Sequence, residues 1–191
     1  MEYFGFARHG ATDKQTPNIA RRLTSEGEEK TQILCGLLKE QEFDFDCGFV
    51  GGQAPRMAQT AEIITRETGM PFADVPELFQ DPDDGAIGTA IEEHAYGFGH
   101  ASLAELYALR DPHMLSCYGG YVGGLLLQQI RHRGIKRPFM VASGMVAQTV
   151  ARGMLSILGI SVPTELFSFV LKESEAFVIK PHEGLILIRN P

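Results

Sequence analysis

No apolar run in this chain approaches the ~20 residues that a bilayer-spanning helix requires. Positive charge is also in short supply: 17 lysines and arginines stand against 24 aspartates and glutamates, a net charge of −7. With a pI near 5.4, this balance argues against nucleic acid or an anionic membrane as the main partner. Cysteine is scarce and odd in number. Cys35, Cys47 and Cys117 are scattered, which fits buried thiols in a reducing compartment better than a disulfide or zinc framework. The first strand starts at residue 2 and leaves no room for a signal peptide, so the chain is expected to be cytoplasmic. Internal repeats and low-complexity tracts are absent from the sequence.

What is present suffices for one core. The chain has 191 residues, 44% hydrophobic and 21% charged, and a single domain over residues 1–191 is the simplest expectation. Glu2–Ala7 reads as an apolar, aromatic-rich strand. Ser25 reads as a helix cap, with Glu28 completing a capping box and Ile33, Leu34, Leu37 and Leu38 as the apolar stripe. Cys47–Val50 is a short strand ending at Gly51-Gly52. Pro55 opens a helix through Met57, Ala61, Ile63 and Ile64, and Gly69 closes it. Phe72–Val75 is a third short strand. Residues 76–100 read as irregular, with helices near 101–110 and 121–133. Phe139–Ala142 is a buried strand and Val146–Leu158 a helix. Ala176–Ile179 and Leu185–Ile188 form a hairpin around Pro181-His182-Glu183-Gly184. Strands alternating with helices imply an α/β fold, three layers (α/β/α) around a mainly parallel, doubly wound sheet.

The chemistry concentrates in Arg8-His9-Gly10. A histidine at the carboxyl end of a first strand lies where open α/β sheets place their ligands. An imidazole beside a guanidinium is suited to take a phosphoryl group onto nitrogen while the fork-shaped cation holds its oxygens. Gly10 lets backbone approach a ligand closely. Two further blocks follow, Arg21-Arg22-Leu23-Thr24-Ser25-Glu26-Gly27 and Arg56-Met57-Ala58-Gln59-Thr60-Ala61-Glu62-Ile63-Ile64. In this order and spacing, over residues 2–75, the three blocks resemble the histidine phosphatase superfamily. The Arg-x-Leu-Thr-x-x-Gly form of the second block is most similar to the phosphohistidine phosphatase branch. Residues 139–146 match the family's later strand–loop–helix more weakly, and residues 80–135 carry no matching motif.

The resemblance implies a phosphoglycerate mutase-like fold and a phosphohydrolase that needs no cofactor and no metal. It implies His9 as the nucleophile carrying a phosphohistidine, kept neutral by nearby cations. Arg8 and Arg56 would grip the phosphoryl oxygens, with Gly10 alongside them. Arg21 matches a further phosphate-facing arginine, although the adjacent Arg22 could be the one that points inward. The implied partner is a phosphorylated small molecule or a phosphoprotein. Oligomeric state and substrate are not legible, the latter because specificity would come from the unmatched residues 80–135.

Departures from the family pattern weigh against these matches. Ser143 stands where the family has its second histidine, and a hydroxyl donates one hydrogen bond without carrying charge. Losing one such donor costs ~10²–10³ in rate in other enzymes. Gly52 falls where many members have serine. For the proton donor, Glu77, Asp81, Asp83 and Asp84 are candidates by location, with Asp81 following Phe79-Gln80 where a glutamate usually comes sooner. A phosphohistidine leaving group would need no strong acid. Two readings therefore stay open: a phosphohydrolase weakened or specialised by Ser143, and an inactive pseudophosphatase that binds a phosphorylated ligand or protein. Elsewhere, Glu92-Glu93-His94 and His100 match no tight zinc pattern, and His113, His132 and His182 have no partner visible in sequence. Gly119-Gly120 and Gly123-Gly124 suit a loop or close helix packing, and Leu125, Leu126, Leu127 and Ile130 a core stripe or an interface.

Overall fold

Alternation along the first strand, β1 (Phe4–Arg8), divides the molecule into two cores. Phe4 and Phe6 face one side of the sheet and Ala7 the other. The computed structural model describes residues 1–13, 15–17, 20–52, 54–75, 102–109 and 112–191. The acidic candidates Glu77, Asp81, Asp83 and Asp84, the irregular stretch 76–100, and Glu92, Glu93, His94 and His100 lie outside the described residues.

After β1 come α1 (Ser25–Glu40), β2 (Cys47–Val50), α2 (Pro55–Thr68) and β3 (Phe72–Ala73). Then follow α3 (Leu103–Leu109), α4 (Pro112–His132), β4 (Pro138–Ala142) and α5 (Gly144–Ile157). A 3₁₀ turn (Thr164–Phe167) leads to β5 (Ala176–Lys180) and β6 (Gly184–Ile188). One sheet runs in the order β3-β2-β4-β1-β5-β6. The first four strands are parallel, while β5 and β6 add an antiparallel hairpin at the β1 edge. Helices α1 and α2 pack on one face against Ala7, Phe139 and Val141. On the other face α4 and α5 pack against Phe4, Phe6 and Met140. The expected three-layer α/β arrangement is therefore present.

Local signals account for most boundaries. Pro55 sits at the start of α2, and Gly69 closes it in the left-handed conformation at φ 79°. Three expectations need correction. The cap of α1 is Thr24 and not Ser25, because the Thr24 hydroxyl accepts from the Gly27 amide at 3.1 Å. Ile33 is 38% exposed and leaves the buried stripe to Leu34 and Leu38. The helix expected near 121–133 begins at Pro112, because its glycines pack helix on helix. A Cβ on Gly119 or Gly153 would collide with the Thr149 carbonyl or the Gly119 carbonyl, respectively. Leu126, Leu127 and Ile130 are buried, so that stripe is core. Of the cysteines, only Cys35 is buried; Cys117 is exposed. No helix among the described residues is long and apolar enough to cross a membrane.

Candidate functional site

The three sequence blocks are tied to one another by backbone hydrogen bonds. Gly10 donates its amide to Thr60 Oγ1 at 3.2 Å, and Thr60 sits one turn beyond Arg56 on α2. The Arg56 amide donates to the Arg21 carbonyl at 3.1 Å. Leu23 donates its amide to Gln59 Oε1 at 2.9 Å, and Thr12 pairs with Leu23 in an antiparallel bridge. The amide of Thr24 reaches the Ala11 carbonyl at 3.0 Å. The start of α2 thereby braces the turn after β1. Gly10 is required by this packing: a Cβ there would lie 2.6 Å from the Gly27 carbonyl. Its close approach is to the chain's own backbone.

β1 and β4 are neighbours, and the helices that follow them cover opposite faces. Such a crevice at the carboxyl strand ends is where open α/β sheets bind ligands. His9 lies in it, 2% exposed. Its Nδ1 is 2.8 Å from the Gly10 carbonyl oxygen, which can only accept. Nδ1 therefore carries the hydrogen, and Nε2 accepts from Arg56 Nε at 3.2 Å. Arg56 itself is 3% exposed. Burial pushes the His9 pKa from 6.5 down to about 3. The charges of Arg56, Arg8 and Arg21 add to this, and the Gly10 hydrogen bond opposes it. The result is a neutral imidazole with its lone pair on Nε2, directed at a guanidinium. The same geometry suits a group that transfers from oxygen to nitrogen beside a fixed cation.

Arg21 rather than Arg22 is the inward member of its pair. Arg21 is half-buried, donates Nε to the Thr16 carbonyl at 2.8 Å and lowers the His9 pKa, whereas Arg22 is exposed. Arg8 alternates to the other sheet face. Its Nη1 donates to the Leu171 carbonyl at 3.0 Å, and its Nη2 stands 3.6 Å from Glu173 Oε1. Its charge reaches His9, but its side chain lies under the start of α5, where a Cβ on Gly144 would lie 3.2 Å from Arg8 Cδ.

Ser143 is next to His9 by register. Arg8 pairs with Ala142, the His9 amide donates to the Ala142 carbonyl at 3.1 Å, and Ser143 is the following residue. It is the cap of α5, yet its hydroxyl makes no capping bond and has no partner among the described residues. Gly52 adopts φ 137°, a conformation that a serine would enter only under strain. His113, His132 and His182 are exposed. Among the described residues no group of three His, Cys, Asp or Glu side chains could hold a metal ion.

Sequence reasoning missed Glu173 and Thr60. Thr60 lies within the third block, and its position one turn from Arg56 was the available signal. Glu173 carried none, because the two residues of its ion pair with Arg8 are far apart in the chain.

No family model matches the sequence, and no curated protein matches it. Solved structures do. The phosphoserine phosphatase of Entamoeba histolytica, in complex with 3-phosphoglyceric acid, superposes with a TM-score of 0.61 at 18% identity, covering 100% of this chain and 98% of that one. The alpha-ribazole phosphatase of Shigella flexneri gives 0.59 at 16% identity, over 98% and 96%. The protein histidine phosphatase SixA, complexed with tungstate, gives 0.57 at 15% identity, over 98% and 94%. Over the described residues, the chain shares the α/β fold of these solved phosphatase structures.

Proposed function

We propose that the chain is a phosphohydrolase that acts through a phosphohistidine on His9. One observation carries the reading: a buried, neutral imidazole whose Nε2 lone pair is held against Arg56 at 3.2 Å, with two more arginines close enough to shift it. In the reaction, Nε2 forms a bond to phosphorus as the bond to the leaving oxygen breaks and its electron pair departs with that oxygen. The Arg56 Nε–H leaves the imidazole for a phosphoryl oxygen at the same time. Arg21 and Arg8 supply further positive charge for an anion whose negative charge is spread over three oxygens. The leaving oxygen takes a proton from solvent; water then attacks phosphorus, the P–N bond breaks with its electron pair returning to Nε2, and the proton that water loses goes to solvent. The substrate is a phosphorylated small molecule or a phosphoprotein. Similarity in fold to phosphatases supports the reading.

A second reading, an inactive pseudophosphatase that binds a phosphorylated ligand, is favoured by Ser143. Its unpartnered hydroxyl offers one neutral donor beside the transferring group. Hydrolysis of a generic phosphomonoester by wild type, His9→Ala and Ser143→His separates the two. The phosphohydrolase reading expects turnover that His9→Ala abolishes. It also expects Ser143→His to raise kcat about ten-fold or more with little change in KM, equivalent to ~1.4 kcal/mol of transition-state stabilisation. Tungstate binding without turnover in either wild type or Ser143→His would favour the pseudophosphatase.

A further inference from the structure

Arg8 acts on His9 through its charge from beneath the start of α5, and its acidic neighbour comes from outside every motif. Its Nη2 faces Glu173 Oε1 at 3.6 Å, and its buried Nε–H has no partner among the described residues. The turn that presents Glu173 is held by more than ordinary packing. Ser174, fully buried, takes φ 57°, which strains a residue other than glycine. Its amide donates to the His9 carbonyl at 3.2 Å, and its carbonyl accepts from Asn190 Nδ2 at 2.6 Å. Its hydroxyl meets Thr31 Oγ1 at 3.3 Å. On the next residue, the Glu175 carbonyl accepts from the Arg8 amide at 3.0 Å, and its buried carboxylate accepts from the Lys172 amide at 2.9 Å. Both neighbours of Arg8 and His9 in this turn are thus fixed through the backbone. Glu173, with its side chain 27% exposed, is the residue left to offer a carboxylate to Arg8. Lys30, paired with Glu26 at 2.6 Å, also feels the Glu173 charge.

We propose that Glu173 is a specificity-determining residue of the His9 site. It competes with an incoming oxyanion for Arg8, and so favours phosphorylated ligands with a cationic group beside the phosphoryl over ligands with a second anion there. The inference rests on the reading of this crevice as an oxyanion site. Its physical basis is that discrimination comes as much from a placed repulsive charge as from an attractive one. A dianion entering beside Arg8 meets the carboxylate at close range. A substituent ammonium can pair with that carboxylate once Arg8 has turned to the phosphoryl oxygens, whereas a substituent carboxylate cannot.

The test uses binding alone. 2-Aminoethylphosphonate and phosphonoacetate are near-matched in size and opposite in substituent charge. Their P–C bonds prevent turnover through a histidine. Titration calorimetry on wild type should show at least an about ten-fold preference for 2-aminoethylphosphonate, and Glu173→Gln should reduce it to within about three-fold while tightening tungstate several-fold. Glu173→Asp should keep the preference. Thermal unfolding checks that each variant is folded. Wild type that binds tungstate but shows no charge preference overturns the inference alone, whatever the variants do. So does a preference that Glu173→Gln leaves unchanged. Wild type that binds none of these anions overturns the oxyanion reading first, and this inference with it.

Discussion

At His9, burial and the charges of Arg56, Arg8 and Arg21 act in one direction, and they outweigh the opposing hydrogen bond from Nδ1 to the Gly10 carbonyl. The pKa falls from 6.5 to about 3, so between those values the unfolded chain binds a proton that the folded chain does not. Stability must then fall as pH drops below 6.5, by ~1.4 kcal/mol per pH unit once the unfolded histidine is protonated. His9→Asn removes this contribution. Urea denaturation of both proteins at pH 7 and pH 5 should show wild type losing about 2 kcal/mol more than the variant over that interval. Parallel losses would mean that folding does not hold His9 neutral. The neutral state is what the proposed mechanism requires, because an imidazolium has no lone pair to offer phosphorus.

Helices α2 and α4 show where local sequence reading succeeds and where it fails. Helix α2 is legible end to end, because Pro55 and Gly69 act through their own backbone preferences. Helix α4 is not. Its four glycines read locally as a loop or as close helix packing, and the contact that decides for packing at two of them is with α5, more than twenty residues away. A substitution pair follows. Gly153→Ala would place its Cβ against the Gly119 carbonyl, backbone on backbone, and over-packing of this kind costs up to ~3 kcal/mol. For a chain of this size that lowers Tm by roughly 6–12 °C. Gly124→Ala would meet only Ile157 Cδ1, at 3.7 Å. Helix propensity then makes it neutral or stabilising by up to ~1 kcal/mol. Differential scanning calorimetry of the two variants checks the contrast, and equal Tm changes would contradict it.

Over the whole molecule, charge is distributed against the overall sign. The chain carries −7, yet three arginines act on one buried histidine where β1 and β4 end. Each of the three came from a separate sequence block, and the order of those blocks was enough to expect them around one histidine. The direction of each side chain was not legible. Strand alternation sends Arg8 and His9 to opposite faces of the sheet, and the Glu173 that meets Arg8 arrives from a turn before β5. Ser143 was legible as a neighbour of His9 because parallel strands in one sheet bring their ends together. The central claim is that His9 Nε2 is the atom that takes the phosphoryl group. It is tested most directly by incubating the protein with a reactive phosphomonoester, quenching in base, and locating the phosphate by peptide mass spectrometry. A base-stable, acid-labile phosphate on the peptide bearing His9, absent from His9→Ala, is the predicted result; phosphate on another residue, or turnover that persists in His9→Ala, would contradict it.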